Sequence, residues 1–299
     1  MLAYAASYVG CLLGLMCAAR ARVLTGPGRR GWLTVAAVSL GGTGIWVMHF
    51  IAMLGFSINN TVIRYNMLLT VVSALVAIVA VGAGLAIVGN DPRKLHRIAL
   101  AGLLAGIGIA AMHYLGIAAM VMPASMSFEP ILFTLSVLIA VVASAVALWF
   151  TLVIRGRAAT LAAAAVMGVA VCGMHYTGMA ALRLTPDTHT DVSGGTSFNN
   201  LLPPVLLVVS IVTVVLLIFV AFSASPAELV EDAAFADRLQ RSVEERERLT
   251  VEHTGPRPQA EAVLPPPAAA PGPPSPTHGP QPPISRRLTR NPTFGSRRR

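Results

Sequence analysis

Charge is scarce in this chain: 12% of its 299 residues are Asp, Glu, Lys or Arg, and only 13 are acidic, while 55% are hydrophobic and the mean hydropathy is +0.69. That balance excludes an ordinary soluble domain for the first 222 residues. Lysine occurs once, at Lys94 in a basic loop, so no span offers an amine for a retinal Schiff base. Cysteine occurs three times, at Cys11, Cys17 and Cys172, each inside an apolar run, which gives no disulfide framework and no reading of redox compartment. No nucleophile, base and acid stand together and no nucleotide-binding loop appears, so the chain is not expected to be an enzyme. The net charge of +9 sits in short loops and the last few residues, where it bears on membrane orientation rather than on nucleic acid.

What the chain does have is long apolar runs. Seven segments have the length and composition of membrane-crossing helices: about Met1–Ala19, Trp32–Phe56, Met67–Val88, Ile98–Met122, Ile131–Ile154, Ala158–Leu182 and Leu202–Phe222. The first lacks a basic leader and a cleavage site, and so reads as a true helix rather than a signal peptide. The loops after the first, third and fifth runs carry Arg20, Arg22, Arg29, Arg30, Arg93, Lys94, Arg97, Arg155 and Arg157. Those after the second, fourth and sixth carry Arg64 and Arg183 with Glu129, Asp187 and Asp191. The excess of positive charge on one side places the amino terminus outside and the carboxyl terminus in the cytoplasm.

A Met-His-aromatic triplet recurs near the outer end of the second, fourth and sixth runs: Met48-His49-Phe50, Met112-His113-Tyr114 and Met174-His175-Tyr176. The histidines are 64 and 62 residues apart, and a glycine precedes each by seven positions, at Gly42, Gly106 and Gly168. The repeating unit is therefore a pair of helices, and the fold expected is an all-α membrane protein: a seven-helix bundle of three related two-helix repeats plus one helix. An imidazole at this depth is costly without a partner. A single such histidine serves equally well as a hydrogen-bond partner across a helix interface, but three at one register favour a shared site.

Helical spacing places His49 with Met53, and Cys172 with His175 and Met179, along common faces. Met48, Met112 and Met174 lie about 100° round their helices from the histidines. In the second copy Ile117 stands where the others have methionine, and Met120 follows one turn later. Imidazole, thioether and thiolate together select copper over harder ions, and the lack of an acidic residue disfavours magnesium, calcium and a di-iron centre. Met120, Met122 and Met126 read as apolar filler at a helix end before they read as an ion path. Trp46, Tyr114 and Tyr176 suit an interfacial aromatic belt.

After Phe222 the composition changes. Ser225-Pro226-Ala227-Glu228 has the form of a capping box, which predicts a cytoplasmic helix within residues 223–254. Residues 255–299 are proline-rich and then basic, and are expected to be disordered. Their Ser285, Thr289 and Thr293 suit a basophilic kinase, and their arginines an anionic headgroup.

The triplets resemble the MHYT domain family of bacterial membrane sensor modules, whose motif the third copy, Met174-His175-Tyr176-Thr177, spells in full. The likeness covers residues 1–222. It implies copper held by His49, His113 and His175 with support from Met48, Met112 and Met174, and sensing of a diatomic gas such as O2, CO or NO, or of redox state. Many members carry a cytoplasmic output domain. The tail here is too short for one, so a separate cytoplasmic signalling partner is expected beside the lipid bilayer and the small ligand. Two other functions fit the same histidines: a haem-binding electron carrier or copper transporter, and a structural anchor that recruits a partner through its tail.

Overall fold

A computed structural model describes residues 1–56, 63–89, 93–186 and 195–254. Asp91, Asp187, Asp191 and the proline-rich, basic tail from 255 lie outside the described residues. The chain divides into two compact units, Met1–Ser242 and Val243–Arg299. Of the second, the described residues are the end of a helix.

The first unit holds seven helices long and apolar enough to cross a membrane, and the chain is a multi-pass membrane protein. They are α1 (Leu2–Val23), α2 (Gly26–Leu54), α3 (Met67–Val88), α4 (Leu95–Ala118), α5 (Pro130–Val153), α6 (Arg157–Ala181) and α7 (Phe198–Phe222). α8 (Pro226–Thr254) follows, and its capping box is formed: Ser225 N–H donates to Glu228 Oε2 at 2.7 Å and Glu228 N–H to Ser225 Oγ at 3.2 Å.

The arrangement in space differs from the pairing along the sequence. The histidine-bearing helices α2, α4 and α6 form an inner triangle, with α3 packed between α2 and α4 and α5 between α4 and α6. The third gap, between α6 and α2, is filled by α1, while α7, which follows α6 in the chain, packs outside against α1. The ring of six thus closes with the helix that precedes the repeats. Small residues permit this closure. A Cβ on Gly10 would strike the backbone of Gly44, and one on Gly44 would come within 3.3 Å of Cys11 N, so α1 and α2 meet backbone to backbone.

α2 contains a feature no apolar pattern announces. Val38–Trp46 is a π-helix of nine residues, set within Gly26–Leu54. Its wider turn is supported by hydroxyls returning to the backbone, Ser39 Oγ to Val35 O at 2.8 Å and Thr43 Oγ1 to Ser39 O at 2.6 Å. Each added residue turns the following helical face by about 100°, so the π segment fixes the direction in which His49 points.

At the end of the bundle opposite the histidines, two arginines of α1 tie off the carboxyl termini of other helices. Arg20, 5% exposed, donates to Ala224 O and Val220 O, both at 3.0 Å, and to Ser223 O at 3.3 Å. Its guanidinium lies 5.2 Å from the centre of Trp32, which packs on Phe219. Arg22 donates to Thr151 O and to Ile154 O, at the end of α5. Both complete carbonyls that a helix terminus leaves without partners.

At the histidine end the connecting segments pair into strands. β1 (Arg64–Tyr65) lies antiparallel between β2 (Met120–Val121) and β5 (Thr196–Ser197), and β3 (Ala124–Phe128) pairs with β4 (Leu182–Pro186). Glu129 caps α5 by accepting from Leu132 N–H at 2.8 Å and Ile131 N–H at 3.1 Å, and those bonds hold its carboxyl below the ordinary carboxylate pKa. A lowered folded-state pKa means that this contribution is present above the unfolded value of about 4.3 and is lost as pH falls through the folded value. Glu129→Ala is therefore expected to lower the unfolding temperature at neutral pH, with the difference from wild type vanishing in acid.

Candidate metal centre

α2, α4 and α6 each project one imidazole to the axis of the inner triangle. His49, His113 and His175 are 3%, 0% and 2% exposed. His49 Nδ1 lies 3.1 Å from His175 Nδ1 and 3.1 Å from His113 Nδ1. The ring centres are 4.9, 5.1 and 5.1 Å apart and every pair of rings is nearly perpendicular, at 75°, 76° and 87°. Three residues separated by more than sixty positions thus turn the same nitrogen toward one point.

That arrangement suits a cation better than it suits three neutral rings. Nδ1 of His49 takes part in both short contacts, yet a neutral imidazole nitrogen has either one proton or one lone pair, enough for one good hydrogen bond. The second contact therefore lacks a complementary partner, at a depth where unpaired polar groups are costly. Nitrogens around a first-row ion at about 2.0 Å stand about 3.5 Å apart when trigonal, close to the spacing found. Three imidazoles serve copper, zinc, iron or nickel. Among the described residues, the His, Cys, Asp and Glu donors within 4.8 Å of one another are these three histidines.

Glycines make room for the rings. A Cβ on Gly116 of α4 would overlap His49 Nε2, and one on Gly178 of α6 would overlap His113 Nε2. Each glycine sits three positions after a histidine, and each supports the histidine of the preceding repeat. The same position in the first repeat is Ala52, and there the pattern opens. Ala52, Gly55, His175, Tyr176 and Met179 line a cavity of about 520 Å³. His175 is thus the corner of the triad that lines an open space, while His113 Nε2 is buried with no hydrogen-bond partner among the described residues.

The thioethers form layers around the triad. Met112 and Met174 lie in the core cluster that also holds Cys11 and Ile109, and Met48 is 1% exposed. Met53, Met120 and Met122 are buried in a second cluster with Phe50, Ile117, Tyr65 and Leu201, next to the strands. Met179 packs at the edge of that cluster and reaches the open cavity. Cys172, half-buried, is not in the donor group; one turn before His175 it sits lower on α6, so common helical phase alone does not bring it to the axis.

The aromatic positions hold the frame rather than forming a uniform belt. Tyr114 Oη is 2.5 Å from Ser136 Oγ of α5, and Trp46 Nε1–H donates to Ser73 Oγ of α3 at 3.0 Å while stacking on Phe50. Tyr176 is exposed, and Thr177 turns outward with its hydroxyl on Gly173 O. Burial pushes the Tyr65 phenol up to about 12, so it stays a donor, to Met53 O at 3.4 Å. The role of Gly116 and Gly178 shows only in space, although the recurrence of glycine three places after two of the histidines is visible in the sequence.

The profile of the MHYT family, described as a bacterial signalling protein N-terminal repeat, matches residues 42–101, 106–164 and 168–234. The bifunctional diguanylate cyclase/cyclic di-GMP phosphodiesterase MucR of Pseudomonas aeruginosa is 36% identical over 214 residues, covering 69% of this chain and 31% of its own length. The cyclic di-GMP phosphodiesterase NbdA of the same organism is 38% identical over 178 residues, 58% of this chain and 22% of its own. The signalling protein YkoW of Bacillus subtilis is 29% identical over 194 residues, 62% and 23% of the two chains. The chain thus spans about a third or less of the length of these curated relatives. No solved structure matches it.

Proposed function

Because the chain belongs to the MHYT family, a sensor domain of bacterial membrane signalling proteins, we propose that its three histidines hold one copper ion and report a diatomic gas or a change of redox state. The observation that carries this reading is the convergence of three Nδ1 atoms at the bundle axis. Buried thioethers on both sides of the triad favour copper among the metals that imidazole accepts. His49, His113 and His175 would be the ligands, with Met48, Met112, Met174, Met53 and Met179 as the soft surroundings and Cys172 as a more distant thiol. When bound, copper supplies a one-electron couple and a position for a small ligand. The spacing of the rings, 4.9–5.1 Å between centres, leaves no slot for a porphyrin and speaks against the haem alternative.

The chain's own residues do the rest. Gly116 and Gly178 fix the ring positions, and the strands with Met53, Met120 and Met122 exclude water from the side of the connecting segments. Because each imidazole belongs to a different helix, any change in their preferred spacing moves α2, α4 and α6 against one another. α1 packs against both α2 and α6, and its Arg20 grips the end of α7, so that movement reaches the junction with α8. With the histidine end outside and α8 in the cytoplasm, the orientation the loop charges favour, the output is a signalling module of the kind the relatives carry, one that makes or degrades cyclic di-GMP.

The test is metal analysis of detergent-purified protein. Wild type is expected to carry about one copper per chain, and the variant with His49, His113 and His175 all replaced by alanine to carry none, with helical content retained. Equal copper in both would end the proposal.

A further inference from the structure

Below the triad the bundle is not filled. A cavity of about 60 Å³ runs down the axis, lined by Cys11, Ala105, Ala140, Ala143, Ala170 and Met174 among others. Much of its lining is alanine, from α4, α5 and α6. Its walls are aliphatic. Thr151 at its far end donates its hydroxyl hydrogen bond to Leu148 O at 2.6 Å, which leaves the Ser144 hydroxyl and the weakly polar Cys11 thiol. A buried water typically makes about three hydrogen bonds, more than one hydroxyl and one thiol supply, so this space favours an apolar occupant. Dry apolar cavities in proteins take up xenon and small hydrocarbons, and a 150 Å³ cavity holds benzene. A space of about 60 Å³ suits an occupant of one to three heavy atoms.

The cavity also has a neighbour on the lipid side. A groove of about 370 Å³ runs between α5 and α6, and its rim residues Leu138, Val142 and Val166 are 56%, 54% and 55% exposed. Ala143, Met167 and Ala170 belong to the walls of both spaces. Two of the three are alanines and the third is an unbranched, adaptable side chain, so the wall between the two spaces is thin and yielding.

We propose that the axial cavity is a binding site for a small apolar molecule drawn from the bilayer, of the size of a diatomic gas or xenon, entering between α5 and α6 past Ala143, Met167 and Ala170. Such molecules concentrate in hydrocarbon, so the route begins where they are most abundant. It ends at Met174, whose chain neighbour is His175. The site itself stands on the cavity and the groove; only its task of delivering a ligand to the histidines rests on the sensor reading.

Xenon tests the site without copper. Metal-free protein with 13C-labelled methionine methyls is placed in nanodiscs and titrated with xenon. Met167 and Met174 are expected to shift saturably, whereas Met122, which does not line the cavity, should not. Ala143→Phe is expected to abolish the shifts while leaving the thermal unfolding of the protein unchanged, and Ala170→Leu serves the same purpose if the first variant fails to fold. Shifts that grow linearly with xenon pressure at all three methyls, or that survive in a folded variant of either kind, overturn the proposal. Since no metal is present, loss of the copper reading leaves this result intact.

Discussion

Replacing Gly178 by valine is expected to weaken copper binding about 10–100-fold, the range seen when groups that orient metal ligands are removed. A Cβ at this position would overlap His113 Nε2, and His113 is 0% exposed. The ring must therefore tip, which carries its Nδ1 away from the point it shares with His49 and His175. The helix bearing residue 178 loses nothing by the change, since valine is tolerated in an apolar membrane helix. Competition with a copper chelator measures the effect, and circular dichroism confirms the helices. Ala52→Gly, at the equivalent place in the first repeat, is expected to change affinity little, because His175 already borders open space there. Wild-type affinity in folded Gly178→Val protein would remove His113 from the ligand set.

The second large effect is at the other end of the bundle. Arg20→Ala removes the donors to Val220, Ser223 and Ala224 carbonyls. Each buried carbonyl left without a partner costs about 1–3 kcal/mol, and part of that returns as water enters the gap, so a net loss of about 3 kcal/mol is expected. Lysine will recover only part of it, because a single ammonium cannot reproduce the guanidinium fork or its stacking on Trp32. Unfolding of the purified variant, followed by tryptophan fluorescence, reads the loss. Limited proteolysis should cut near Ala224 in the variant before it does so in wild type. A variant as stable as wild type would mean that the end of α7 is satisfied from elsewhere.

Much of this molecule was legible in its sequence, for physical reasons. Membrane spans declare themselves because every residue in hydrocarbon must be apolar or explained, so the seven runs could be drawn directly, and His49, His113 and His175 stood out as the polar residues needing an explanation. Their common phase followed from the repeat. Other features depend on where helices meet, and a linear pattern does not carry that. The repeat gives helix pairs but not the helix that closes the ring: α1 fills the gap between α6 and α2, and it meets α2 backbone to backbone through Gly10 and Gly44. The π-helix was hidden because Ser39 and Thr43 look like ordinary polar residues in an apolar run. Arg20 was read as loop charge, when it is a buried cap.

The position of α1 also governs how the protein is assembled. Tyr4 of α1 and Ala165 of α6 are hydrogen-bonded yet 161 residues apart, so at translation rates of about 5–20 residues per second α1 spends on the order of 10–30 s in the bilayer before its neighbour is made. During that interval its glycine face has only α2 to lie against. The ring of helices, and with it the third imidazole of the site, is completed late in synthesis. A ribosome stalled between α5 and α6 would therefore leave in the membrane an open half-shell holding two histidines and no third.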